Sequence, residues 1–402
     1  MSSNKRGNEY NALVRLVVKM PRPVRILFFV VLIAAMLVLT MVAIKSVAGQ
    51  PAGAPTATPT AAPTYTPTAQ PTGTPVATPT VAPTETPTAE PTEEPTATPE
   101  PTPSPEPTPV VYDTSFVMPD GNVRPIAVVL DPNGSYLTGV KEAQLVYEMV
   151  GEKGASTMMA LYWDKPTGLQ VGKLGSARHY MINIAAEHQA MIYSKGASVY
   201  AKAEAAQKLF GVKLFNSEDN IKNVFASSSS GVLLNISAVE SHWANEKVTT
   251  TLSKSNLVFK YAESTETPTV GKKAVEVLLP FSSSYTTCFT WDPDKHLYLR
   301  WRNDMPQFDQ TTGEQLTAAN IIVLKMDSYD IDGDADGMQE VNMIGSGVGW
   351  FVTEGMAQQI IWSKSSRDGA LSIKTSTGAD VVLNPGQTWI TILPTSSNER
   401  IN

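Results

Sequence analysis

The stretch RPIAVVLD at residues 124–131, followed by the turn signal Pro132-Asn133-Gly134, decides the fold class. Its unbroken aliphatic run, closed by turn residues, predicts a buried strand. Two more strand-like runs follow, QLVYEMV at 144–150 and TMMALYW at 157–163. Residues 177–188 read as a helix with Ser176 placed to cap it. A short buried strand at 191–194 leads into a second helix, 199–210, which Gly211 ends. Strands interleaved with helices predict an α/β lobe with a mixed sheet over residues 112–258.

Toward the C-terminus the pattern changes. VEVLL at 275–279 is strand-like, and TTCFTWDPDKHLYLRWR at 286–302 reads as a hairpin turning at 292–295. Further short runs lie at 320–326, 349–353, 359–363, 371–375 and 388–393, with no helical periodicity among them. They predict a mostly antiparallel β lobe over 259–402, divided from the first lobe within 250–272. GSGVG at 345–349 reads as a turn between strands, since no strand–loop–helix setting surrounds it. The expected fold class is α+β.

Toward the N-terminus, residues 45–111 repeat Pro and Thr with almost no large apolar side chain. Proline at this density forbids helix and sheet ladders, so a disordered, extended stalk is expected. Sixty such residues reach at most about 190 Å. Before the stalk, ILFFVVLIAAMLVLTMVAI at 26–44 is an uncharged apolar run of 19 residues. As a helix it spans about 28 Å, the thickness of a bilayer's hydrocarbon core. Residues 1–25 form a basic segment, which predicts an N-terminus in the cytoplasm and a C-terminal domain outside the cell membrane. A cleaved signal peptide ending near Ser46-Val47-Ala48 is the alternative to this signal anchor, but the apolar run exceeds the usual length. No Cys stands behind the run, which excludes a lipid attached there.

Charge divides along the chain: +6 in residues 1–50, −6 in the stalk and −7 in the globular region. An acidic globular region excludes a nucleic-acid partner, which needs a basic footprint. The lone Cys288 excludes an internal disulfide, so stability rests on a hydrophobic core.

The strings RPIAVVLD (124–131), LVYE (145–148), GKLGSARHY (172–180), WSKSSR (362–367) and LNPGQTWI (383–390), with Tyr298-Leu-Arg300, Asp309 and Gly313, resemble the YerB-like family of bacterial cell-envelope proteins. The resemblance covers residues 120–395 and implies location and architecture rather than a reaction, because the family's function is unassigned. Ser176 and Arg178 match its pattern. Thr157 and Gly175 stand where the family carries Arg, Ser194 where it commonly carries His, and Asn245-Glu246 where it carries a His-Asn pair. These departures imply an altered ligand or a domain kept for its shape.

The leading candidate site joins two helix-opening loops, GKLGSAR at 172–178 and SKGAS at 194–198. Free N–H groups at helix starts favour phosphate or carboxylate, so Lys173, Gly175, Ser176, Arg178, Lys195 and Ser198 form an expected anion or glycan site. The plainer reading makes the serines helix caps and the glycines turns. Asp332, Asp334, Asp336 and Gly337 fit the first positions of a calcium loop, but Met343 replaces its bidentate Glu, so at most a weak Ca²⁺ site is expected. Glu148 and Asp131 form the carboxylate pair a glycoside hydrolase would need. The tryptophans of the β lobe (291, 301, 350, 362, 389) read as packing residues before sugar platforms. The resulting expectation is a noncatalytic binding module for a cell-envelope glycan, peptide or partner protein, anchored in the bilayer through residues 26–44. A wall-remodelling hydrolase or transferase and a structural spacer are the alternatives.

Overall fold

The opening apolar run becomes strand β1 (Ile126–Leu130), buried along its whole length in this computed structural model. The structure describes residues 116–402 apart from 134, 135, 230 and 368, so the expected transmembrane helix and stalk lie outside the described residues. Among the described residues no helix is long and apolar enough to cross a membrane.

β2 (Leu145–Val150) and β3 (Ser156–Tyr162) form an antiparallel pair, and β3 lies antiparallel to β1. β4 (Met191–Ser194) and β5 (Leu214–Asn216) continue the sheet in parallel on the other side of β1. From the C-terminal half come β6 (Lys272–Lys273), β7 (Asn320–Met326), β8 (Gly345–Thr353), β9 (Met356–Lys364), β10 (Ser372–Thr375) and β11 (Thr388–Pro394). All eleven form one sheet, in the order β6-β9-β8-β7-β11-β2-β3-β1-β4-β5 with β10 beside β9. β11 is the seam: it pairs in parallel with β7 on one side and with β2 on the other.

The described residues are strand-rich mixed α+β, with three α-helices: α1 (His179–Glu187), α2 (Val199–Ala205) and α3 (Ile236–Asn245). The expected division near residue 258 is therefore not a division of the largest sheet. Nor is the C-terminal half purely antiparallel, because β7 and β11 run parallel. Parallel central strands are covered on both faces and read as unbroken apolar runs, which is how β1 reads.

β2 shows the layering. Successive side chains of a strand point to opposite faces. Tyr147 meets His188, at the C-terminal end of α1, with 2.8 Å between Oη and Nε2. Its neighbour Glu148 points the other way, to Arg300 of a second, six-stranded sheet. That sheet is built on the expected hairpin, Thr286–Asp292 and Leu297–Arg302, with Glu276–Pro280 beside it. Phe289 from it packs edge-on against Trp389 of β11.

Three local expectations are corrected. α1 begins at His179, so Ser176 lies too early to cap it, and Arg178 is the N-cap residue. The second helix stops at Ala205, and Leu209–Gly211 is a separate 3₁₀ turn with Phe210 in the left-handed region at φ 52°. GSGVG belongs to β8 rather than to a turn. Its glycines serve close packing: a Cβ on Gly349 would lie 2.1 Å from the Val323 carbonyl oxygen, and one on Gly347 2.6 Å from the Trp362 indole nitrogen.

Candidate functional site

The two helix-opening loops do come together, by a route the sequence did not indicate. Residues 170–172 leave the main sheet and pair with Gly231–Asn235. The chain then crosses the C-terminal end of β1, where the Asp131 amide donates to Lys173 O (2.9 Å) and the Gly175 amide to Val129 O (2.9 Å). The Lys195 amide donates to Gly175 O, and Ser176–Ala177 pairs in parallel with Gly196–Ala197. Gly175 has no room for a side chain, since a Cβ would sit 2.8 Å from the backbone of Leu130.

The loops are zipped by backbone, and two of their three cations are engaged. Lys173 Nζ lies 2.9 Å from Asp131 Oδ2. Arg178 grips Glu152 through Nε and Nη2, the latter 2.8 Å from Oε2, while its Nη1 donates to Ser176 O. Burial lowers the basicity of Arg178, but the hydrogen bond and charge of Glu152 more than restore it. Ser198 is a helix cap, its Oγ accepting from the Ala201 amide at 3.1 Å. Lys195 is exposed. Of the expected side chains, Lys173, Arg178 and Ser198 are engaged within the protein.

The acidic hairpin sits close by. Strands Ser328–Asp330 and Gln339–Val341 flank it. Asp334 accepts from the amides of Asp336 (3.0 Å) and Met338 (3.1 Å) and hydrogen-bonds Tyr200 at the start of α2. Those backbone hydrogen bonds lead in holding its carboxyl below the usual range. Asp332 and Asp336 are exposed. Among the described residues no three His, Cys, Asp or Glu side chains converge to hold a metal ion.

Between α1 and this hairpin opens a crevice of about 270 Å³ that the sequence did not reveal. α1 supplies His179 and Asn183; the hairpin and the segment after it supply Tyr329, Glu340 and Asn342; Arg367 follows β9. His179 Nε2 lies 3.0 Å from Glu340 Oε2. Arg367 pairs with Glu204 and donates from Nε to Asn183 Oδ1 at 3.1 Å. Lys364 Nζ lies 2.5 Å from Glu187 Oε1, where burial raises the carboxyl despite the lysine. The lysine and the arginine thus each have a carboxylate partner, and the Tyr329 side chain stands 59 % exposed on the rim.

The carboxylates of the hydrolase alternative are tied to cations. Glu148 is fully buried; Arg300 Nη2 reaches Oε2 at 2.8 Å, Thr287 Oγ1 donates to Oε2 at 2.9 Å, and Ser156 Oγ donates to Oε1 at 2.7 Å. Burial pushes this carboxyl up, but Arg300, Arg302 and Ser156 together bring it below its ordinary value. Asp131 is held by Lys173. Both carboxyls are held below their ordinary values, which disfavours either as a proton donor. The arginines were missed, though a signal existed: in LYLRWR the positions of Tyr298, Arg300 and Arg302 share one face, and all three are buried.

These features define a strand-rich α+β protein whose two halves share one sheet and line a polar crevice together. The chain belongs to the DUF3048 family, described as proteins of unknown function: the family's N-terminal domain matches residues 117–248 and its C-terminal domain residues 277–390. The YerB protein from Bacillus subtilis is similar in structure, with a TM-score of 0.60 and 18% identity over 70% of this chain and 94% of that one. At that identity the likeness is one of fold. No curated protein matches the chain.

Proposed function

We propose that this protein is a membrane-anchored, extracytoplasmic binding module that takes a cell-envelope glycan without chemical change. Residues 26–44 hold it in the bilayer with the N-terminus inside, and the Pro/Thr stalk of 45–111 carries the globular region toward the wall. The observation that supports binding is the convergence of Asn183, Glu340, Asn342 and Arg367 beside the exposed ring of Tyr329. Amides and paired charges offer donors and acceptors without net charge, and an exposed aromatic face packs against a sugar ring. Peptide and protein partners are the other ligands to be compared. The ion-paired state of Glu148 and Asp131 favours binding over hydrolysis.

Sedimentation of the full chain, in detergent, with isolated cell-wall sacculi tests this. Saturable co-sedimentation without released fragments is expected, weakened about tenfold by Asn183→Ala, the cost of one well-placed polar contact. Released fragments would replace the binding reading with a hydrolase, and unchanged affinity in Asn183→Ala would remove the crevice as the site.

A further inference from the structure

We infer that a second cleft, floored by Arg302, binds an oxyanion group, a carboxylate or a phosphate, carried on a small ligand. The first observation is stoichiometric. Arg300 and Arg302 are 0% and 6% exposed and share one carboxylate, that of Glu148, itself 0% exposed. The cluster therefore holds one positive charge in excess where charge is costly to bury. The neighbouring acids do not supply the missing partner. Asp131 is paired with Lys173, Asp304 is exposed on the turn after the strand, and Asp309 accepts from the Lys141 and Thr311 amides.

The second observation is where the donors lie: Arg300 Nη1 is buried without a partner among the described residues, and the weakly used donor of Arg302 is at its Nη2. Arg300 donates from Nε to Gln307 Oε1 (2.7 Å) and from Nη2 to Glu148 (2.8 Å), and its plane lies over the Trp389 ring at 4.1 Å. Arg302 uses Nη1 on Ser156 (2.8 Å) and on Glu148 (3.4 Å). Its Nη2 meets only Asn133 Oδ1, at a weak 3.5 Å, among the described residues. Arg302 and Asn133 both line a cleft of about 380 Å³. The Tyr285 ring, 5.2 Å from the guanidinium carbon, sets the plane of the group. Ser284 and Asn303 line the cleft as well. Asn303 accepts from the Thr286 amide through Oδ1, which leaves its side-chain NH₂ to donate. A buried, oriented guanidinium edge flanked by two further donors matches an oxyanion. Met305 on the rim gives the ligand's body an apolar contact.

The test titrates the full chain in detergent with inorganic phosphate and, separately, with N-acetylglycine, following binding by calorimetry. Saturable one-site binding of at least one probe is expected. Arg302→Lys should weaken it about tenfold or more, because an ammonium is not held as a plane against the Tyr285 ring with its donor aimed into the cleft. Ser284→Ala, which leaves the ion cluster intact, should weaken it less and covers the case in which the arginine variant folds poorly. Tighter phosphate binding assigns the cleft to phosphoesters; tighter N-acetylglycine binding assigns it to carboxylates. No saturable binding of either probe, or binding unmoved by Arg302→Lys and by Ser284→Ala, would overturn the proposal.

Discussion

The α1 crevice and the Arg302 cleft are both built across the two halves of the chain, yet they treat charge in opposite ways. In the crevice Lys364 and Arg367 each have their own carboxylate, from Glu187 and Glu204, and the Glu340 carboxylate meets the His179 ring. At the cleft two guanidiniums share one. The difference teaches that ligand class follows from charge balance more than from the number of polar groups. A balanced surface recognises by hydrogen-bond geometry and packing, whereas an unbalanced, desolvated one attracts the missing sign.

The largest expected effect lies at the unbalanced cluster. Glu148→Gln leaves two buried guanidiniums without an anion and should cost about 3–5 kcal/mol of folding stability, read from urea unfolding. Arg302→Met leaves the neutral Arg300–Glu148 pair and should cost less than about half of that. Equal losses in the two variants would break the charge accounting on which the cleft rests.

Acid tests the buried end of the helix that lines the crevice. His188, at the C-terminal end of α1, is fully buried, and burial pushes its pKa from 6.5 down to about 3. The unfolded chain then takes up a proton that the folded chain refuses. Its contribution to stability is complete above pH 6.5 and is lost as pH falls toward about 3. The steepest loss is about 1.4 kcal/mol per pH unit. Urea unfolding between pH 6.5 and about 5 should show this slope before most carboxylates titrate. A His188→Gln variant should flatten it. An undiminished slope in that variant would move the acid sensitivity to another group, the crevice ion pairs first.

The smallest effect distinguishes the hairpin's aspartates. Asp334→Ala removes acceptors for two amides and Tyr200 and should cost about 1–2 kcal/mol. Asp332→Ala, on an exposed side chain, should stay within about 0.5 kcal/mol, with or without added Ca²⁺. A calcium-dependent loss in Asp332→Ala would favour the metal-loop reading.

Much of the fold was legible because strand and helix periods are local. Residues 126–130, 145–150, 191–194 and the 286–302 hairpin all emerge from short-range pattern. The sharing of one sheet by both halves was not legible, since parallel pairing of β11 with β2 joins residues more than two hundred positions apart. The loops at 172–178 and 194–198 were rightly placed side by side, but pattern carries no information on which carboxylate meets Lys173 or Arg178. The crevice was hidden for the same reason: His179 and Asn183 lie on a helix, while Glu340 and Arg367 arrive from the far end of the chain. Only the arginines at 300 and 302 left a readable trace, as charges on the buried face of an alternating strand.

Binding of the full chain to sacculi as salt is raised from about 50 to about 500 mM probes most directly whether the crevice is a charge-balanced, noncatalytic site. The expected result is saturable binding that changes little with salt, weakens in Asn183→Ala and releases no fragment. Binding that collapses with salt, or that leaves soluble wall fragments behind, would contradict it.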